Sequence, residues 1–347
     1  MIDFSDSQLF SIVIHKVGNK SKEEVCKFSD SQIEPSIEIR SLLLHYFVTP
    51  FKSQEYNCFF HDVDLKFNEV YSYVSEIFSN PKKFLQQSIN LSKYLYEKSI
   101  HPKIQGGEFY ATYFKDCKIN DEIVDAIGLF KSENKDTFLK VYQSGGKFEI
   151  QSDEGININK LDKGCIIFNM NKESGYIVLN VDNKNKGEEA KYWTNDFLHI
   201  QPRKDDFYYT QNILSLCKTF VTNELPKEFE VTKADQAIFL HKSLNALKNG
   251  EQIELKKFAK EVFTQSNIID SFERYKSQYL EERNIQLEDT FNVSETAVKK
   301  KAKGLMATIK LDRNFEINIY GGDEYIERGY DKEKKLNFYR LFFVNEK

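Results

Sequence analysis

Asp125, Glu133 and Lys135 are residue types that a metal-dependent phosphodiesterase uses, carboxylates to hold Mg²⁺ and a lysine beside the attacking water. Their spacing weakens that reading. If Ile123 to Glu133 forms one continuous strand, the two carboxylates stand ~25 Å apart at ~3.3 Å per residue, too far to share an ion. Surface charges flanking a hairpin turn are the plainer account. A second run, HDVD at 61–64, sets His61 beside Asp62 and Asp64 in a loop and could hold a metal, but a site needs several converging ligands. No GxxxxGK[ST], GxGxxG, GxSxG or HExxH motif occurs, so phosphate cradling, the serine elbow and the zincin site lack their carriers. No catalytic residue, metal or cofactor is expected.

Charge offers a different chemistry. Lys299, Lys300, Lys301 and Lys303 fall within five positions, in a chain whose formal net charge is −4. Such a segment fits a polyanion, and it equally fits the solvated end of an ordinary helix. The pI near 6.0 argues against a histone-like coat, because nonspecific affinity for DNA comes from Lys and Arg neutralising phosphates. Any contact with nucleic acid must therefore be local.

These residues need a scaffold, and the composition supplies one. Hydrophobic residues make up 40 % of 347, with 29 Phe and 19 Tyr against one Trp, enough for a folded chain of about two domains. The N-terminus lacks a basic leader with a long apolar run, and no stretch approaches the ~20 apolar residues of a membrane span. A soluble, cytoplasmic protein is expected. Cys26, Cys58, Cys117, Cys165 and Cys217 are odd in number and form no CxxC pair, which suits reduced structural thiols better than disulfides or zinc.

Periodicity divides the chain. Leu9 to Val17 and Glu24 to Phe28 read as strands around a polar turn at Gly18 to Ser21. Pro35 opens a helix through about Tyr46 whose buried face carries Ile37, Leu43, Leu44 and Phe47. Helical patterns follow at Phe67 to Phe78 and Pro81 to Lys98. From Gly106 the period becomes two, and EFYATYF, EIVDAIGLFK, DTFLKVY, KFEIQS, CIIFNM and GYIVLNV read as a meander-like antiparallel sheet. A helix from Thr210 to Glu224 precedes Pro226, the expected boundary. Beyond it come helices at Ala234 to Lys248, Leu255 to Phe263 and Ile268 to Arg283, the basic segment, and four strand-like runs.

Other polar groups have structural readings. Asp205 or Asp206 is placed to cap the helix after Arg203 and Lys204. The pairs Gly106–Gly107 and Gly321–Gly322 are expected to supply positive φ at turns.

Several segments then carry a resemblance in a fixed order: IVIHKV, the helix start at Glu34–Pro35, FLQQSINLSKYLYEKS with HPKIQGGEFYATYF, AIGLFKSE, LDKGCIIFN, Tyr192–Trp193 and RKDDFYYTQNIL. GEQIELKKFAKEVF, SFERYKSQYLEERNIQLEDTF and KLDRNFEINIYGG continue it. The chain resembles bacterial nucleoid-associated proteins of the NdpA type, and its final ERGYDKEKKLNFYRLFF is similar to the Bacteroidetes-type members. The resemblance implies a protein of the cytoplasm and nucleoid that binds duplex DNA with little sequence preference. It also implies influence on a topoisomerase or another DNA-acting protein. The chain itself leaves room for a homodimer. The resemblance brings no active site with it.

The resulting expectation is an α+β protein, non-enzymatic and not membrane-bound. Residues 1–225 would pack helices on a mainly antiparallel sheet, and 228–347 would form a smaller helical and β-hairpin domain. Lys299, Lys300, Lys301 and Lys303 would contact phosphate, supported by Lys310 and Arg313. A metal-dependent nuclease built on Asp125, Glu133 and Lys135, and an interaction adaptor whose acidic N-terminal domain never touches DNA, are the alternatives.

Overall fold

The computed structural model of the chain describes residues 2–51, 55–119, 121–183, 192–305, 307–319 and 326–345. It is an α+β fold in two compact units, 1–203 and 204–347. The division precedes the joint expected near Pro226. That proline lies in the first turn of a short helix, where its missing N–H breaks no hydrogen bond.

The first unit is built on an antiparallel sheet. Its strands are β1 (Ile2–Asp3), β2 (Gln8–Val17), β3 (Asn57–Phe59), β4 (Gly107–Ile119), β5 (Glu122–Ser132), β8 (Lys163–Phe168), β9 (Ile177–Asp182) and β10 (Ile200–Pro202), in the order β1-β4-β5-β8-β9-β3-β10 with β2 also on β4. Helices α1 (Ile37–Val48), α2 (Glu69–Ser79) and α3 (Phe84–Lys98) cover it. On one face Val13, Phe109, Ala111, Ile127 and Val178 pack with Val74, Ile77, Leu91 and Leu95 of α2 and α3, and with Trp193 and Phe197 of a π-helical stretch, Tyr192–Leu198. On the other, Ile12, Tyr110, Phe130 and Ile166 pack with Tyr46 and Phe47 of α1. Phe47 and Phe130 stack at 4.2 Å. Burial on both faces explains why β4 and β8 read as nearly unbroken apolar runs rather than as a strict alternation.

The simple meander is interrupted. β5 pairs directly with β8, while the intervening β6 (Asp136–Ser144) and β7 (Lys147–Gly155) leave the sheet as a separate hairpin. The expected strand at Glu24 to Phe28 is reduced to one bridge, Lys16 with Lys27. Helix α1 starts at Ile37 because Ser36 caps it, its Oγ accepting from the Ile39 N–H at 3.4 Å. Ile37 itself is 82 % exposed, so the buried face is confined to the later turns. Gly106 and Gly107 take no positive φ. A Cβ on Gly107 would meet the Ser132 carbonyl oxygen at 1.8 Å, so it is close backbone approach that requires glycine there. Gly321 and Gly322 lie outside the described residues.

The second unit gathers helices around one core. α4 (Asp206–Thr219), α5 (Leu225–Glu228), α6 (Lys233–Asn249), α7 (Leu255–Phe263), α8 (Ser266–Glu282) and α9 (Glu295–Leu305) contribute Ile213, Leu216, Leu225, Leu247, Phe258, Val262, Phe272, Val298 and Leu305. β11 (Gln252–Glu254) pairs with β12 (Thr290–Asn292), and two hairpins follow, β13 (Ala307–Leu311) with β14 (Phe315–Ile319), and β15 (Ile326–Asp331) with β16 (Leu336–Leu341). Among the described residues, no helix is long and apolar enough to cross a membrane.

Candidate nucleic-acid interface

The basic segment is helix α9, and its neighbours decide which way each lysine faces. Asp205 caps α4 by accepting from the Tyr208 N–H at 3.0 Å, while Asp206 accepts from the Asn292 N–H at 3.2 Å and so ties the end of β12 to the start of α4. Two residues on, the Ser294 N–H donates to Thr210 Oγ1 at 3.0 Å, and Ser294 Oγ accepts from the Ala297 N–H at 3.4 Å as the α9 cap. Glu295 in the first turn and Lys303 in the last both complement the helix dipole. Ala297, Val298 and Leu305 are buried.

At 3.6 residues per turn, Lys299, Lys300 and Lys303 share an arc of about 100°, facing away from that buried stripe. All three are exposed. Lys301 is on the other side. It falls between the directions of Ala297 and Val298 and is half-buried. Four consecutive-looking lysines therefore do not make one basic surface, because a helix turns each successive side chain by about 100°.

The partners come from α9 itself, from α4 and from across a hairpin. Lys299 pairs with Glu295 at 3.2 Å, one turn back, and both are largely exposed. Lys300 stands over the ring of buried Phe207 at 5.5 Å, which orients its ammonium at the edge of the arc. Lys310, on β13, faces Glu316 across the hairpin at 3.8 Å. Arg313 is exposed in the turn that follows, next to Asp312 at φ 51°.

Two lysines join the site that its own stretch of sequence does not contain. Lys218, exposed at the end of α4, places its Nζ 3.5 Å from where a Cβ would stand on Gly304. Lys248, at the end of α6, lines a cleft of about 540 Å³ together with Lys299, Glu251 and Glu295. Both come from helices more than fifty residues upstream of Lys299, so only the packing reveals them. Acidic and basic residues balance in the second unit, and the whole net charge of −4 belongs to the first.

The alternative nuclease residues are not brought together. Asp125 Oδ2 accepts from Tyr113 OH at 2.6 Å within β5. Glu133 lies beyond the end of that strand, buried against Lys131 at 3.1 Å and accepting from Tyr192 OH at 2.7 Å. Lys135 pairs with Glu108 at 3.0 Å. In the HDVD run, Asp64 is a cap, accepting from the Lys66 N–H at 2.8 Å, and His61 Nδ1 accepts from the Val63 N–H at 3.2 Å. Among the described residues, no group of three or more His, Cys, Asp or Glu side chains could hold a metal ion.

With this geometry in view, comparison with known families is decisive: residues 13–335 match the family described as nucleoid-associated protein YejK. The chain belongs to that family. The match runs through both units and includes α9, Lys310 and Arg313. No curated protein matches the chain.

Proposed function

We propose that this member of the nucleoid-associated protein YejK family binds duplex DNA with little sequence preference through the exposed arc of α9. The observation that carries the reading is the projection of Lys299, Lys300 and Lys303 from one side of a helix whose opposite side is fixed in a core by Ala297, Val298 and Leu305. Lysine ammonium groups neutralise phosphates without reading bases, which suits binding indifferent to sequence. Lys218, Lys310 and Arg313 are the supporting cations. The pairs that Lys299 and Lys310 make with glutamates are exposed, are worth only a few tenths of a kcal/mol, and yield readily to phosphate. The protein acts in the nucleoid without chemistry of its own, and its effect on a topoisomerase or another DNA-acting protein follows from occupying the same DNA.

Salt dependence tests this directly. Log affinity for duplex DNA should fall against log salt with a slope between about −3, for the three arc lysines alone, and about −5, with the three supporting cations engaged, at ~0.9 per phosphate contact. Replacing Lys299, Lys300 and Lys303 together by alanine should flatten it by about two to three units on the same basis. Lys301→Ala alone should leave the slope within about half a unit, since that residue stands outside the arc. An unchanged slope in the triple variant would place the interface elsewhere.

A further inference from the structure

β15 and β16 form a two-stranded sheet of their own, joined through residues 332–335, and neither strand contains a buried residue. Each strand runs about 20 Å at ~3.3 Å per residue. One face of this arm is closed on itself. Glu327 accepts from Arg340 at 2.9 Å, Arg340 lies over the Phe338 ring at 5.8 Å, and that ring covers Gly329, where a Cβ would meet its Cζ at 2.2 Å. Such cross-strand contacts hold the shape of a ribbon that buries nothing. By strand alternation the other face carries Arg328 opposite Tyr339 and Tyr330 opposite Asn337, with Ile326 and Leu341 at the open end, and no carboxylate.

At the tip stand Lys332, Lys334 and Lys335, all exposed. Asp331 is spent on the turn, its Oδ1 accepting from the N–H groups of Glu333 and Lys334 at 2.9 and 3.0 Å. Among the described residues, Arg328, Lys332 and Lys335 pair with no carboxylate.

We propose that this arm is a second contact with duplex DNA, entering the major groove on its Arg328 face with the three tip lysines on flanking phosphates.

Shape and charge select that occupant. The major groove, ~12 Å wide, admits a two-stranded ribbon, whereas the ~6 Å minor groove of unbent DNA is too narrow for two strands ~4.8 Å apart and their side chains. In residues 326–345 the cations Arg328, Lys332, Lys334, Lys335 and Arg340 stand against Glu327, Asp331 and Glu333, and two of those carboxylates are already engaged. The outward charge is therefore positive, as phosphate requires. A protein partner would instead be drawn to the exposed apolar residues Leu341 to Val344, which lie at the open end, away from the tip. Engaged tip lysines steepen the salt slope beyond the share of α9 and its supporting cations, at ~0.9 each. Duplex DNA as the ligand is taken from the reading above, whereas α9 plays no part in how the arm binds.

Acetylation of the full chain by an N-hydroxysuccinimide ester, followed lysine by lysine by mass spectrometry with and without a random-sequence duplex, separates the two sites. Lys332, Lys334 and Lys335 should react several-fold more slowly when DNA is bound, as should Lys299, Lys300 and Lys303. The chain should also displace methyl green, a dye of the major groove. A variant carrying Lys332→Ala, Lys334→Ala and Lys335→Asn should do so several-fold less well at equal saturation of the DNA, with an unchanged circular dichroism spectrum. Asparagine is used at 335 because that residue sits at φ 56°. Arc lysines protected while the tip lysines react equally fast with and without DNA would overturn the arm and leave α9. Tip lysines protected while the arc lysines are not would leave the arm and remove the α9 site. A chain with no affinity for duplex DNA removes both, and protection of the tip without displacement of methyl green overturns entry into the groove.

Discussion

Thr210 Oγ1 accepts the backbone N–H of Ser294 at 3.0 Å, so the residue that caps the basic helix is itself held by a side chain from the helix beneath it. The direction in which α9 presents its lysines is thereby set from α4, eighty-four positions earlier in sequence. Thr210 is fully buried.

Thr210→Val keeps the shape and removes the acceptor, leaving the Ser294 N–H without it. The expected cost is about 1–2 kcal/mol, read as a lowered urea midpoint with an unchanged m-value. Affinity for duplex DNA should fall several-fold while the salt slope is retained, because the lysines are still present and only their presentation is loosened. A flattened slope would show instead that Thr210 lies close to the contacts themselves.

Glu133 and Lys131 are both buried, and Glu133→Gln removes a carboxylate counter-charge from an ammonium that also donates to Gln105 O at 2.8 Å and Tyr192 OH at 3.2 Å. Glu133→Gln should therefore lower stability by about 3 kcal/mol, measurable as a drop in melting temperature. Lys135→Gln, whose pair with Glu108 is partly exposed, should cost no more than about 0.5–1 kcal/mol. Metal-dependent cleavage of plasmid DNA that was abolished by Glu133→Gln with the melting temperature unchanged would reverse this assignment.

His15 lies in β2 with its Nδ1 accepting from the Ser29 N–H at 3.1 Å and its Nε2 set 2.9 Å from Ser88 Oγ. Burial pushes the imidazole down from 6.5 to about 4. The unfolded chain thus binds the proton more readily than the folded one between those values, and stability falls as pH drops from about 6.5 toward 4. The full effect is on the order of 3 kcal/mol. Chemical denaturation at pH 7.5, 6, 5 and 4 should show the decline, and His15→Gln, which can offer both an acceptor and a donor, should flatten it. A wild-type curve flat across this range would mean that the ring protonates without penalty.

Much of this architecture was legible because it rests on periodicity. Helix α7 spans the same Leu255 to Phe263 that the apolar spacing marks, since each of its turns places a large side chain in the core. The longer strands of the first sheet, β2, β4, β5, β8 and β9, emerged for the same reason, whereas the two- and three-residue strands β1, β3 and β10 are too short to carry a period. What stayed hidden depends on contacts distant in sequence. A lysine is ordinarily read as a surface residue, yet Lys131 and Lys163 are fully buried around the ring of Tyr192, at 5.4 and 5.1 Å, with Glu133 and Asp182 as their counter-charges. The candidate interface was half visible. The lysine run shows in one dimension, but that Lys301 lies on the side of Ala297 and Val298 needs the helix, and the approach of Lys218 to Gly304 needs the packing of α4 against α9.

The direct pairing of β5 with β8 has a consequence for how this sequence can change. Lys131 and Lys163 already face each other across the two strands, and Asp162 fastens the backbone just beyond them. The connection between the strands is therefore closed before the chain departs into residues 136–155. Everything outside that knot is a graft on a finished framework. Its length, its apolar content, even its presence can vary without asking the core to repack. Replacing 136–155 by a short glycine-containing turn should leave a soluble chain with its first unit intact, and homologous chains could gain or lose the appendage in a single insertion or deletion.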